Sequence, residues 1–150
     1  MNDPDVEVSK RAKVRARRSA VQALYQWRMT DQAIQEIIKE FETERDLRKA
    51  DRTYFRSLLE GIADHAEQLD EALEPLLDRP LKQLDPVERV VLHIGMYELR
   101  YRPEIPWRVV INESVELAKM FGAEQSHKFV NGILDRAAHS LRPAEMGCTS

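Results

Sequence analysis

The chain predicts an all-α protein: two small helical bundles packed into one compact domain, with about seven helices. Three observations carry that expectation. Composition is the first: 150 residues, 43% hydrophobic and 33% charged, with only five glycines, enough for one domain with a real core. The second is the stretch from Leu84 to Leu134, where three helical patterns follow one another with punctuation between them. The third is the run from Lys10 to Trp27, rich in good helix formers and free of glycine and proline.

In chain order, residues 1–9 are expected to be a disordered, acidic tail, with the first helix starting at Lys10. At 100° per residue, Ala16, Ala20, Ala23, Leu24 and Trp27 gather on one side, which faces a core. Arg11, Arg15 and Arg18 fall opposite at i, i+4 and i+7, Lys13 and Arg17 lie on a flank, and Gln22 and Tyr25 continue the exposed side. Thr30 or Asp31 can cap a second helix carrying Ile34, Ile37, Ile38 and Phe41. Residues 42–50 are charged and aperiodic, a connection with room for a partial turn. Asp51 opens a third helix with Tyr54, Phe55, Leu58, Leu59 and Ile62 inward. The pattern resumes through Ala66, Leu69, Leu73 and Leu76, and leaves open whether one helix or two cross His65. Arg79-Pro80 then makes a linker.

Asp85 caps the next helix, Pro86 suits its first position, and Glu88 falls where a capping-box acid reaches back. Val87, Val90, Val91, Ile94 and Leu99 form its apolar stripe, and Gly95 allows close helix approach. The Arg102-Pro103 and Ile105-Pro106 pairs end it. Val110, Ile111, Ser114, Leu117, Ala118 and Phe121 mark the following helix, and Gly122 sits where a left-handed C-terminal residue is expected. Ser126 can cap the last, whose inward face is Val130, Ile133, Leu134 and Ala137. The expected division is an N-terminal half over 10–78, a C-terminal half over 85–142, and a flexible tail over 143–150.

Charge is distributed unevenly. Residues 1–18 hold six basic and three acidic side chains, +3, whereas residues 19–150 hold 17 and 23, −6. A basic arm on an acidic body points to nucleic-acid contact. Arginines at i, i+4 repel by a few tenths of a kcal/mol per pair, and a phosphate offsets that repulsion.

Several classes are excluded. No apolar run approaches the ~18 to 20 residues of a membrane span, and the polar N-terminus lacks a secretory h-region. Cys148 has no internal partner, which fits a reducing cytoplasm. Glu113 and Glu116 read as surface acids, His93 as a satisfied core or edge histidine, and His65, His93, His127 and His139 lack metal-ligand spacing. With no phosphate-cradling glycine loop and no nucleophile elbow, neither an enzyme nor a cofactor is expected. At the turn GAEQSHKF, the start of the last helix favours anions, Lys128 adds charge and His127 a donor. Phe129 reads by spacing as core, although an exposed aromatic there could stack on a base.

The run INESVELAKMFGAEQSHKFVNGILDRAA, the preceding MYEL, and ARRSAVQALYQW from Ala16 resemble the NusB family of transcription antitermination factors, over about Val14 to Arg142. The resemblance implies a non-enzymatic, cytoplasmic RNA-binding protein that binds the single-stranded boxA element of nascent ribosomal RNA transcripts. It would act with NusE, a small-subunit ribosomal protein, on the RNA polymerase elongation complex with other Nus factors. In that family the arginine-rich first helix and the start of the last helix form one RNA surface. Carried onto this chain, that implies Lys13, Arg15, Arg17, Lys128 and Phe129, with Arg18 and His127 beside them. Gln125 stands where members often carry an acid, and Val14 and Ala16 interrupt the arginine run. The NusE surface would include Tyr25 and Glu88. The alternatives are a helical interaction module or homodimer, and a stand-alone relative of the N-terminal domain of ribosomal-RNA cytosine methyltransferases. The latter needs a cofactor domain and a catalytic cysteine, for which the short tail after Arg142 leaves no room.

Overall fold

A computed structural model of the chain describes residues 4–147. The tail cysteine, Cys148, and the first three residues of the expected N-terminal tail lie outside them. Seven α-helices account for most of the described residues, without a strand among them: α1 (Pro4–Met29), α2 (Ile34–Glu44), α3 (Arg52–Asp64), α4 (Ala66–Leu73), α5 (Pro86–Tyr101), α6 (Trp107–Phe121) and α7 (Ser126–Leu141). None is long and apolar enough to cross a membrane.

The first helix starts at Pro4, ahead of the expected Lys10. Proline is favoured in the first turn, and Asp5 and Glu7 place negative charge against the positive end of the helix dipole. The acidic residues that read as a tail are therefore a helix start. At His65 the chain does break: α3 ends at Asp64, and α4 begins at Ala66.

The chain forms two compact units, one up to Asp64 and one from His65. The expected boundary near Asp78 is thereby moved, and α4 goes with α5. Tertiary contacts decide this. Leu69 and Leu73 are fully buried, and Asp70 between them accepts hydrogen bonds from Arg89 Nη2 at 2.9 Å and His93 Nε2 at 2.6 Å, both on α5. His93 is thus a satisfied core histidine, as its apolar neighbours suggested.

In the first unit α1 and α2 pack on α3. Phe41 and Phe55 stack with centroids 5.8 Å apart, and Asp51 caps α3 by accepting from the Tyr54 N–H at 2.9 Å. The cap expected at Thr30 or Asp31 falls elsewhere: α2 begins after Ala33, which has no side-chain cap, and Thr30 Oγ1 turns back to the Gln26 carbonyl. In the second unit α5, α6 and α7 pack mutually. Residues Val90 to Leu99 are all buried, so α5 is the central helix of this unit.

The Asp70 cluster makes stability depend on acid. Burial pushes the Asp70 carboxyl up, but the His93 hydrogen bond and charge and the Arg89 guanidinium outweigh it and hold the group below its ordinary value. A depressed folded-state pKa contributes stability that is present above the unfolded value, about 4, and lost as pH falls through the folded value. Urea midpoints for wild type and Asp70→Asn, measured from pH 7 to pH 2, should differ most near neutrality and converge in acid.

Candidate nucleic-acid interface

On α1 the expected exposed stripe is present. Arg11, Arg15, Arg18, Gln22 and Tyr25 are all exposed, while Ala16, Ala20, Ala23 and Leu24 are buried. Trp27 is half-buried. The stripe therefore runs from guanidinium groups to an aromatic ring that is 41% exposed.

Arg17, expected at the RNA surface, is instead buried. It is only 4% exposed, with its guanidinium 5.5 Å from the Tyr54 ring centroid. Val21 and Leu24 follow it at i+4 and i+7 and are buried as well, so this side of α1 faces α3 rather than solvent. The apolar Val21 was the available signal, and it marks Arg17 as part of the buried sector. Lys13 is half-buried, with Nζ 5.5 Å from the same ring. A cation held over an aromatic face is already partly compensated, whereas Lys10, Arg11, Arg15 and Arg18 are exposed on this helix.

The C-terminal unit supplies the second set. The turn before α7 places its left-handed residue at Gln125, φ 109°, and not at Gly122, whose backbone is extended. Gly122 is required for space instead: a Cβ there would lie 2.8 Å from the Ala118 carbonyl oxygen and 2.9 Å from Ser126 Cβ. Ser126 is likewise not a cap. It is buried, and its hydroxyl donates to Glu88 Oε2 at 2.8 Å. Glu88 therefore engages α7 rather than closing a capping box at its own helix, where Asp85 alone caps by accepting from the Val87 N–H at 2.7 Å. Half-buried and held by Ser126, Glu88 is a preorganised acceptor.

Beyond that turn Lys128 is exposed, and His127 and Phe129 are half-buried. Phe129 and Lys128 line a groove of about 280 Å³ with Leu76, Asp78, Gly132 and Arg136 among others. The Arg79 guanidinium lies 4.9 Å from the Phe129 ring centroid. Arg136 Nη2 donates to the Leu76 carbonyl at 2.6 Å. The ring is thus neither core nor freely exposed, because it forms one wall of a groove under a cation. Arg79 and Arg136 were not anticipated: Arg79 read as a linker residue, and only tertiary folding brings it over Phe129. The groove offers an aromatic face and open space beside Gly132, and its cations share it with the Asp78 carboxylate, which accepts from Arg79 Nε at 3.0 Å. The arrangement suits stacking of an aromatic ring.

The NusB family model matches residues 14–139. Among similar proteins, the transcription antitermination protein NusB of Idiomarina loihiensis is 51% identical over 132 residues, covering 88% of this chain and 95% of the relative. That of Alcanivorax borkumensis is 47% identical over 145 residues, covering 97% and 95%. Among solved structures, NusB of T. maritima superposes with a TM-score of 0.77 at 34% identity, covering 89% of this chain and 96% of that one. The antitermination factor NusB in a crystal structure with NusE and dsRNA superposes with a TM-score of 0.69 at 26% identity, covering 83% and 94%. The family model spans most of the chain, and relatives about half identical cover nearly all of it; the chain belongs to the NusB family.

Proposed function

We propose that this chain is a non-enzymatic, cytoplasmic RNA-binding factor that suppresses transcription termination. It binds boxA-type RNA together with NusE, and the pair links the transcript to elongating RNA polymerase. One observation carries the RNA reading: the exposed stripe of Arg11, Arg15 and Arg18 ending in Tyr25, on a protein whose remainder is acidic. A related NusB is found with NusE and RNA, which supports the same pairing here. Arg15 and Arg18 bind phosphates, Lys128 adds a further contact, and Phe129 with His127 and Arg79 meets a base. Lys13 contributes charge from the flank. Tyr25 and Glu88 serve NusE.

Phosphate contacts supply affinity and base contacts supply selectivity. Few phosphate contacts give weak binding alone, and a partner that enlarges the surface raises it. Fluorescence anisotropy with a boxA-like strand, a scrambled strand and a duplex, across a salt series and with or without NusE, tests this. Wild type should prefer the boxA strand, more so with NusE. Arg15→Ala/Arg18→Ala should lower the salt slope by roughly 0.7 for each phosphate that is no longer neutralised. Arg17→Ala should instead lower stability, because its side chain is buried. Equal binding of all three RNAs would remove the sequence-reading role, and a duplex preference would assign recognition to shape.

A further inference from the structure

A cavity of about 250 Å³ lies in the N-terminal unit, between α1 and the connection that joins α2 to α3. Arg15, Arg18 and Ser19 line it from α1, and Asp46, Lys49 and Ala50 from the connection. Three cations face one anion, and that anion is already engaged. Asp46 accepts from Arg48 through Nε at 3.0 Å, Nη2 at 3.2 Å and the backbone N–H at 3.1 Å. Those bonds and the Arg48 charge, with a smaller contribution from the charge of Lys49, hold its carboxyl down to about 2. Arg15, Arg18 and Lys49 have no ion-pair partner among the described residues.

The connection reads in sequence as a charged, aperiodic linker, yet it is fixed in place. Leu47 is 1% exposed, the Ala50 N–H donates to the Leu47 carbonyl at 3.0 Å, and the Asp51 N–H donates to the Ala12 carbonyl of α1 at 3.0 Å. Lys49 is thereby held on the same side as Arg15 and Arg18. Three like charges converging on one cavity repel one another, and a bound anion reverses the sign of that energy. Arginine supplies planar forks and lysine a compact charge, both suited to phosphate oxygens. Ser19 adds a hydroxyl donor.

We propose that this cavity is a phosphate-binding site and that it holds one phosphodiester of the RNA strand, with Lys49 and Ser19 completing the set begun by Arg15 and Arg18. The RNA assignment rests on the function proposed above. The connection between α2 and α3 is then a second wall of the RNA path and not a passive link.

Two measurements test it, RNA anisotropy across salt and amide NMR during titration with inorganic phosphate. Both use wild type, Lys49→Gln, and Lys39→Gln on the exposed side of α2 as a charge control. Lys49→Gln should lower the salt slope by roughly 0.7, leave the preference for the boxA strand over the scrambled strand unchanged, and abolish phosphate-induced shifts at Ser19 and Ala50. Lys39→Gln should change none of these. Wild-type RNA binding with an unaltered slope in Lys49→Gln would overturn the site while leaving the RNA function standing. If wild type binds no RNA, the functional reading fails, and phosphate shifts lost in Lys49→Gln would reassign the cavity to a free anion. Absence of both RNA binding and phosphate shifts would overturn the site altogether.

Discussion

Arg142→Ala should destabilise the C-terminal unit by about 3 kcal/mol, since charged hydrogen bonds contribute ~1.5 to 3 each and partial rehydration returns some of the loss. The last carbonyls of a helix have no partner within it. Here Arg142, 7% exposed, supplies donors to the Leu99 and Arg102 carbonyls at the end of α5. It gives a second donor to Glu98, whose carbonyl also accepts the Arg102 N–H at 3.1 Å. Its Nε donates to the Leu99 carbonyl at 2.7 Å, and its Nη2 to the carbonyls of Glu98 at 3.1 Å and Arg102 at 3.0 Å. Nη1 pairs with Glu145, which also accepts the Trp107 N–H at 3.1 Å at the start of α6. One side chain from the end of α7 thus closes the end of α5 and, through Glu145, the beginning of α6. Positive charge at a helix C-terminus is favourable in its own right. Arg142→Lys keeps that charge but cannot span three carbonyls, so it should recover less than half of the loss. Urea denaturation followed by circular dichroism reads the effect as a lower midpoint with an unchanged slope. A midpoint within error of wild type would show that water replaces the guanidinium at no cost.

Gly95→Val is the second large effect, with an expected cost of about 3 kcal/mol from overpacking. A Cβ at Gly95 would lie 2.6 Å from Leu134 Cδ1 and 2.9 Å from Ser114 Oγ, where α5 meets α7 and α6. Leu134 is fully buried and Ser114 is 1% exposed, so neither can swing into solvent. Branching at Cβ adds two methyls to an already impossible contact, and the three helices must separate. Gly95→Ala meets the same Cβ contacts without valine's two further methyls and gains ~1 kcal/mol of helix propensity, so its cost should be smaller. Gly132 provides the contrast, because a Cβ there meets nothing within 4 Å. Gly132→Ala should raise stability by up to ~1 kcal/mol. Thermal midpoints of the three variants separate crowding from propensity. Equal losses at both positions would mean that glycine's conformational freedom, and not space, is what α5 needs.

The role of Gly95 is legible from its sequence context: a glycine in the middle of an apolar helical stripe indicates close approach. Gly122 is legible as necessary but for a different reason from the real one. Periodicity locates it at a helix end, where glycine commonly takes the left-handed conformation, whereas Gln125 takes it and Gly122 makes room for Ser126. Ser126 and Glu88 each read as helix-start residues with separate capping roles. Both are polar residues at helix starts, and nothing local reveals that their side chains meet each other.

Local sequence is sufficient for the helices, because a 3.6-residue apolar repeat broken by prolines is a short-range signal. It is sufficient too for the family, the basic arm and the exposed face of α1 at Arg11, Arg15 and Arg18. Packing between elements selects which cations are available. Arg17 turns inward onto Tyr54, Arg79 covers Phe129, Arg142 closes α5, and Lys49 is brought to Arg15 and Arg18. The physical reason is reach: a long cationic side chain can bury its stem and find a carbonyl, a ring or an anion several residues to either side of its backbone position, so its partner depends on which elements pack beside it.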